Sequence, residues 1–216
     1  ELIATAQVEQ GAPMSEAKVE ATYPLSSMQQ GMLFHSLYQP DSGIDVEQIV
    51  CRLPEAIDAQ KFLKAWNRAV KRHPTLRTRF LWDNADEPTQ IVQERVRLSL
   101  KQQDWRSDPP NEQRDRLAAY LKSDRQQGFD LTQALNGKPL MRFALFRVAD
   151  GDYQFVWTFH HILLDGRSFL LVLQEVFALY EAFCKGDRLS LESPRPYRDH
   201  IEWLQQQDFS ASKSFW

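Results

Sequence analysis

The sequence predicts an α/β fold of the α+β sandwich type, a mixed sheet flanked by helices. Helical and strand-like segments interleave along the chain, as layered α/β architectures require. The segments 140–148 and 153–159 are joined by Ala149-Asp150-Gly151-Asp152, and Asp150-Gly151 is a tight-hairpin signal. That pair is therefore antiparallel, which argues against a doubly wound parallel sheet. The 216 residues are 43% hydrophobic and 12% aromatic, enough for a sizeable core.

Taken in order, residues 1–20 are polar, rich in Ala and Glu and weakly patterned, and read as a linker or leader ahead of a domain at 21–216. Ser26 or Ser27 caps a helix with Met28, Met32, Leu33 and Leu37 at helical spacing, a stripe expected in the core. Pro40-Asp41-Ser42-Gly43 closes it. A strand follows at 46–53. Asp58 caps a helix over 59–73 with Phe62, Leu63, Trp66, Ala69 and Val70 on one face, and Pro74 ends it. Strands are expected at 76–82 and 89–92, across a polar turn at 83–88, with a further short strand at 95–100. A charged amphipathic helix spans 111–127 and stops at Gly128. After the hairpin, 168–184 is the clearest helix, with Leu170, Leu173, Phe177, Tyr180 and Cys184 repeating at three or four. A last helix, 197–207, follows Pro194-Arg195-Pro196.

Composition narrows the function classes. Lys and Arg number 26 against 29 Asp and Glu, a net charge of −3, which speaks against a general nucleic-acid binder. No apolar run approaches the roughly 18 residues of a membrane-spanning helix. The N-terminus carries no basic-then-apolar signal pattern. Cys51 and Cys184 have no metal-ligand spacing and are expected as buried thiols of a cytoplasmic protein.

Chemistry concentrates in YQFVWTFHHILLDGRS, residues 153–168. On a strand, Tyr153, Phe155, Trp157 and Phe159 share one face, and Gln154, Val156 and Thr158 share the other. If the extended run continues, His161 joins the aromatic face and His160 the opposite one, so the two histidines have different jobs. Two adjacent histidines so placed would need a distorted backbone to bind one metal ion with Asp165. Asp165-Gly166 turns the chain into the 168–184 helix. Asp165 is placed to cap it, with the first backbone N–H groups available to a developing negative charge. An imidazole beside such a turn suits acyl transfer, because it holds or deprotonates a nucleophile near neutral pH.

His160-His161-Ile162-Leu163-Leu164-Asp165-Gly166 matches HHxxxDG. Three more segments stand in matching order: Pro24-Leu25-Ser26 with Met28 to His35, Arg72-His73-Pro74-Thr75-Leu76-Arg77-Thr78-Arg79-Phe80, and Gly128-Phe129-Asp130-Leu131 with Pro139-Leu140 and Arg142. With these, residues 20–216 resemble the N-terminal half of a nonribosomal peptide synthetase condensation domain, of the chloramphenicol acetyltransferase-like superfamily. The resemblance implies amide formation between an aminoacyl or peptidyl thioester donor and an aminoacyl acceptor. Both arrive on phosphopantetheine arms of upstream and downstream carrier proteins, with no cofactor or metal bound by the domain itself. It implies further partners in an adenylation domain and in a second lobe that follows this one, the channel lying between the lobes. It implies no nucleic acid and no membrane.

By the same resemblance His161, His160, Asp165 and Gly166 make up the catalytic motif, with His161 nearest the chemistry. Asp165 is a structural anchor paired with Arg77, and Gly166 permits close approach in the channel. His35 and His73 read as helix-end residues. Arg167 stands where such domains often carry Trp, and the chain is a few residues longer around 134–138. Cyclising relatives replace the histidines, whereas epimerising and ester-forming relatives keep versions of the motif. In isolation, one lobe is alternatively a non-catalytic scaffold or carrier-binding module.

Overall fold

The computed structural model describes residues 18–40, 42–82, 87–131 and 138–208. Asp41, most of the turn expected at 83–88, the added residues at 134–137, nearly all of the leader and the last eight residues lie outside them. In chain order the elements are β1 (Val19–Pro24), α1 (Ser27–Tyr38), β2 (Val46–Leu53), α2 (Ala59–Arg72), a 3-10 turn (Pro74–Arg77), β3 (Thr78–Leu81), β4 (Thr89–Gln93) and β5 (Leu100–Asp104). There follow α3 (Pro110–Gln127), β6 (Met141–Ala149), β7 (Asp152–His160), α4 (Ser168–Lys185) and α5 (Tyr197–Gln205).

The strands form two sheets, not one. The larger has order β2-β7-β6-β5, with β2, β7 and β6 antiparallel and β5 parallel to β6. The smaller is antiparallel, in the order β1-β4-β3. β1 begins inside the segment expected as leader. It is a strand with only Tyr23 fully buried, against Val92 and Ile201, so it carries little apolar signal. Pro74 fixes a 3-10 turn across the expected start of the 76–82 strand, so β3 begins at Thr78. Residues 95–99 are irregular, and the strand expected there begins at Leu100.

The large sheet is covered on both faces. Toward α2 and α4, β7 presents Phe155, Trp157 and Phe159, each almost fully buried. Trp66 of α2 sits among Phe143, Phe155 and Trp157 at ring-centroid distances of 4.4, 5.9 and 4.8 Å. Toward α3, Val156, Ala144 and Phe146 meet Leu117, Tyr120 and Leu121, with Trp105 stacked on Phe146 at 4.0 Å. The alternation read along 153–159 thus separates the two layers. The hairpin turns at Gly151, whose φ of 69° a side chain would resist.

The stripe expected on α1 is mostly outside the core. Leu33 is buried and Met32 partly packed, but Met28 and Leu37 are exposed, with Phe34 and Tyr38 beside them. The buried polar residue of this helix, Gln29, takes the inward position instead. Ser26 caps α1 in a capping box with Gln29. Of the two thiols, Cys51 is half-buried, and burial raises its pKa; Cys184 is exposed, contrary to expectation.

Candidate active site

Both histidines stand at the end of β7, where the ladder runs out. The Leu140 carbonyl accepts the His160 amide (3.0 Å) and the Asp45 carbonyl accepts the His161 amide (2.8 Å). The extended run stops at His160, and His161-Ile162 begin a turn closed by Leu163 N–H to His160 C=O (3.1 Å). Ile162, Leu163 and Leu164 are buried in the main core, which fixes the turn from below.

His160 is committed by its surroundings. Its Nδ1 accepts the Ile162 amide at 3.1 Å, which leaves the ring proton on Nε2, 3.0 Å from Ser36 Oγ. Ser36 in turn donates toward Met32 C=O (2.9 Å) or Asp45 Oδ2 (3.3 Å). A serine, an imidazole and a carboxylate therefore gather as they would in a nucleophilic triad, but the polarity is reversed. His160 donates to Ser36 and has no free lone pair with which to take its proton. Burial pushes the His160 pKa down to about 4, against the opposing pull of Asp45 and with a smaller contribution from His161. The ring is neutral at pH 7 and held by these two partners.

His161 is different. Its ring is half-buried, with Nδ1 closed off from solvent and without a hydrogen-bond partner. Among the described residues its Nδ1 is therefore not tied into the protein, unlike both ring nitrogens of His160. No three His, Cys, Asp or Glu residues cluster as metal ligands among the described residues.

Asp165 caps α4. Its Oδ1 accepts the amides of Arg167 (3.1 Å) and Ser168 (2.7 Å), and its carbonyl faces the Phe169 amide at 3.4 Å. Hydrogen bonds from the Ser168 hydroxyl and amide hold the Asp165 carboxyl below the usual range, with the Arg167 amide and His161 adding smaller pulls. The first amides of α4 are therefore occupied, and the expected use of them for a developing negative charge is not supported. Gly166 has nothing within 4 Å of where a Cβ would stand, so this lobe imposes no steric demand there.

The expected Asp165–Arg77 pair does not form. Arg77 is buried between the end of α2 and the small sheet. Its guanidinium donates to the carbonyls of Val70 (3.0 Å), Lys71 (3.4 Å) and Gln93, and to Glu20 Oε2 (2.8 Å). The α2 C-terminus leaves carbonyls without intrahelical donors, and a forked cation suits them. Arg77 supports the frame on which the site stands rather than the site itself.

Two polar contacts that sequence reasoning did not assign join this frame to the turn. Gln29 Nε2 donates to Ile162 C=O (3.3 Å), while Gln29 and Gln90 exchange side-chain amide bonds. The opening segment of α1, β4 of the small sheet and the histidine turn thus share one buried network. On the other side, Asp124 of α3 is 4% exposed and accepts from Arg142 Nε (2.9 Å), Gln48 Nε2 (2.9 Å) and Thr158 Oγ1 (2.6 Å). Arg142 also holds the Gly128 carbonyl (2.6 Å) and lies 4.2 Å over the Phe129 ring, which faces His160 at 6.3 Å. In the sequence, Arg142 stands in the segment matched with Gly128 and Phe129, but nothing local paired it with Asp124.

Known proteins resemble this chain in sequence and fold. The family model for the condensation domain matches residues 19–216. A linear gramicidin synthase of Brevibacillus parabrevis is 42% identical over 201 residues, covering 93% of this chain and 4% of that protein. Bacitracin synthase 3 of Bacillus licheniformis is 39% identical over 199 residues, 92% of this chain and 3% of that protein. Among solved structures, the starter condensation domain of rhizomide synthetase RzmA has a TM-score of 0.77 at 25% identity, covering 90% of this chain and 48% of that one. The first condensation domain of the calcium-dependent antibiotic synthetase has a TM-score of 0.69 at 19% identity, covers 81% of this chain and 41% of that one, and supports the fold alone. The chain thus spans a few per cent of its curated relatives and about half of a solved condensation domain. By motif, fold and family match, the chain belongs to the condensation-domain family of nonribosomal peptide synthetases.

Proposed function

We propose that this chain is the histidine-bearing lobe of a peptide-bond-forming condensation domain. The observation that carries the reading is the contrast between the two imidazoles. His160 is locked by Ile162 and Ser36, whereas His161 Nδ1 has no hydrogen-bond partner. The acceptor amine attacks the donor thioester carbonyl, the carbon–sulfur bond breaks, and the carrier's phosphopantetheine thiol leaves. His161 holds the amine or takes its proton. Asp165 and the buried 162–164 turn set where that imidazole stands. The substrates come on carrier-protein arms, so the partners are upstream and downstream carrier proteins, an adenylation domain of the same synthetase, and a second lobe. Exposed Met28, Phe34, Leu37 and Tyr38 on α1 suit this reading, because a lobe of about half the domain's length leaves apolar surface for other parts to cover.

The test is amide formation between two loaded carrier proteins. The chain joined to the remaining half of its domain is expected to form amide, with at least a hundredfold loss in His161→Ala, on the order of a lost acid–base group. The 216-residue chain alone is expected to be silent. Undiminished turnover in His161→Ala would overturn the role of His161, and turnover by the lone lobe would overturn the need for a second wall.

A further inference from the structure

Between α2, α4 and the segment that follows α4, a cleft of about 200 Å³ is lined by Arg68, Arg72, Leu179, Arg188, Leu189, Ser190 and Leu191. No carboxylate lines it. Arg72 is neutralised by Glu175 (3.0 Å) and pins the carbonyls of Leu191 and Glu192, so it holds the 188–192 segment against α2. Arg68 and Arg188 have no ion-pair partner among the described residues, although the chain as a whole is acidic at −3. α2 adds to this imbalance, since Lys61, Lys64, Arg68, Lys71 and Arg72 are its charged residues and none is acidic. Lys61, Lys64, Arg68 and Lys71 recur at three and four, which puts them on one face. Leu179 lies eleven residues along α4 from Ser168. At 1.5 Å per residue this is roughly 16 Å from the end where Asp165 and His161 stand. The cleft is therefore separate from the candidate active site.

Two guanidinium groups line one cleft whose wall carries no carboxylate, an arrangement that attracts an anion. Their forked donors suit the tetrahedral oxygens of a phosphoryl group better than a monovalent halide. The Ser190 hydroxyl supplies one further donor at the same cleft. We infer that the Arg68–Arg188 cleft is an oxyanion site for a small phosphate or phosphate ester, which staples the segment after α4 onto α2.

The probe is inorganic phosphate added to the 216-residue chain, with sodium chloride at matched ionic strength as the control for screening. Thermal unfolding is expected to show a saturable rise in Tm, roughly 5–10 °C at a hundredfold excess over Kd, that chloride does not reproduce. A second arm uses glycerol 3-phosphate, which separates free phosphate from a phosphate ester: a lower half-saturation concentration identifies the ester as the better ligand. The double variant Arg68→Gln/Arg188→Gln is expected to lose the phosphate-specific rise. Arg188→Lys, which keeps charge but not the fork, is expected to weaken half-saturation several-fold. If the double variant does not fold, Arg188→Gln alone gives the reading, because Arg188 is exposed and bonds no other described side chain. Equal effects of phosphate and chloride, or an undiminished phosphate effect in the variants, would overturn the site.

Discussion

His160 and His161 are neighbours in the chain, yet their rings meet opposite demands. His160 is desolvated, gives its Nε2 proton to Ser36 and accepts from Ile162, so protonation would break the bond at Nδ1. Its folded pKa of about 4 lies below the ordinary 6.5. The unfolded chain therefore binds more protons than the folded one between these values. The contribution to stability is full above pH 6.5 and is lost as pH falls to 4, about 3 kcal/mol in all. Urea unfolding measured across that window is expected to show the decline in the native chain and a flatter profile in His160→Gln. Asp165 makes a second residue-scale expectation. It acts as a helix cap, and Asn caps as well as Asp, so Asp165→Asn is expected to keep the melting temperature while Asp165→Ala loses about 1 kcal/mol. An ion-pair anchor would give a large loss in both, so the Asn variant decides between the roles.

Among the elements, α3 is the one whose attachment the sequence conceals most. Its apolar residues are only half-buried, and the deepest side chain it contributes is the carboxylate of Asp124. That carboxylate is satisfied by groups from three strands, Gln48 of β2, Arg142 of β6 and Thr158 of β7. Removing it leaves the half-buried Arg142, and the Gln48 and Thr158 side chains, without their acceptor. Asp124→Ala is expected to cost about 3–5 kcal/mol in chemical denaturation. Arg142 also sets Gly128 and Phe129 beside His160, so loosened packing around the histidine should accompany the loss, read as faster exchange of the His160 and Ile162 amides. Gly128 itself ends α3 with φ of 58°, a conformation that glycine accepts without strain. α2 is legible by contrast, because Phe62, Leu63, Trp66, Ala69 and Val70 recur at helical spacing, and all but the partly buried Leu63 are buried.

At the scale of the whole molecule, the large sheet is a wall between two helical layers, and its strand β7 delivers both histidines to one end. The small sheet braces that end through Gln90 and Gln29, which reach the carbonyl of Ile162. Local signals were enough to place β2, α2, the β6–β7 hairpin and α4, since α2 buries one apolar stripe and the hairpin turns on a glycine, although Leu170 and Cys184 of the expected α4 stripe are exposed. The HHxxxDG segment, and with it the family, was also legible, because chemistry-bearing residues were consecutive. Pairing across long separations was not. Arg77 and Asp165 share a motif-level expectation but lie on different parts of the frame, and nothing local to either tells which carbonyls or amides will be left unsatisfied nearby. The same holds for β1, whose polar face matters only because β4 lies beside it. The chain by itself determined its helices, its hairpin and the imidazoles that mark its family. Tertiary structure alone decided which imidazole is locked, because a buried polar group takes its state from the partners that folding brings to it, and those are set by packing rather than by sequence neighbours.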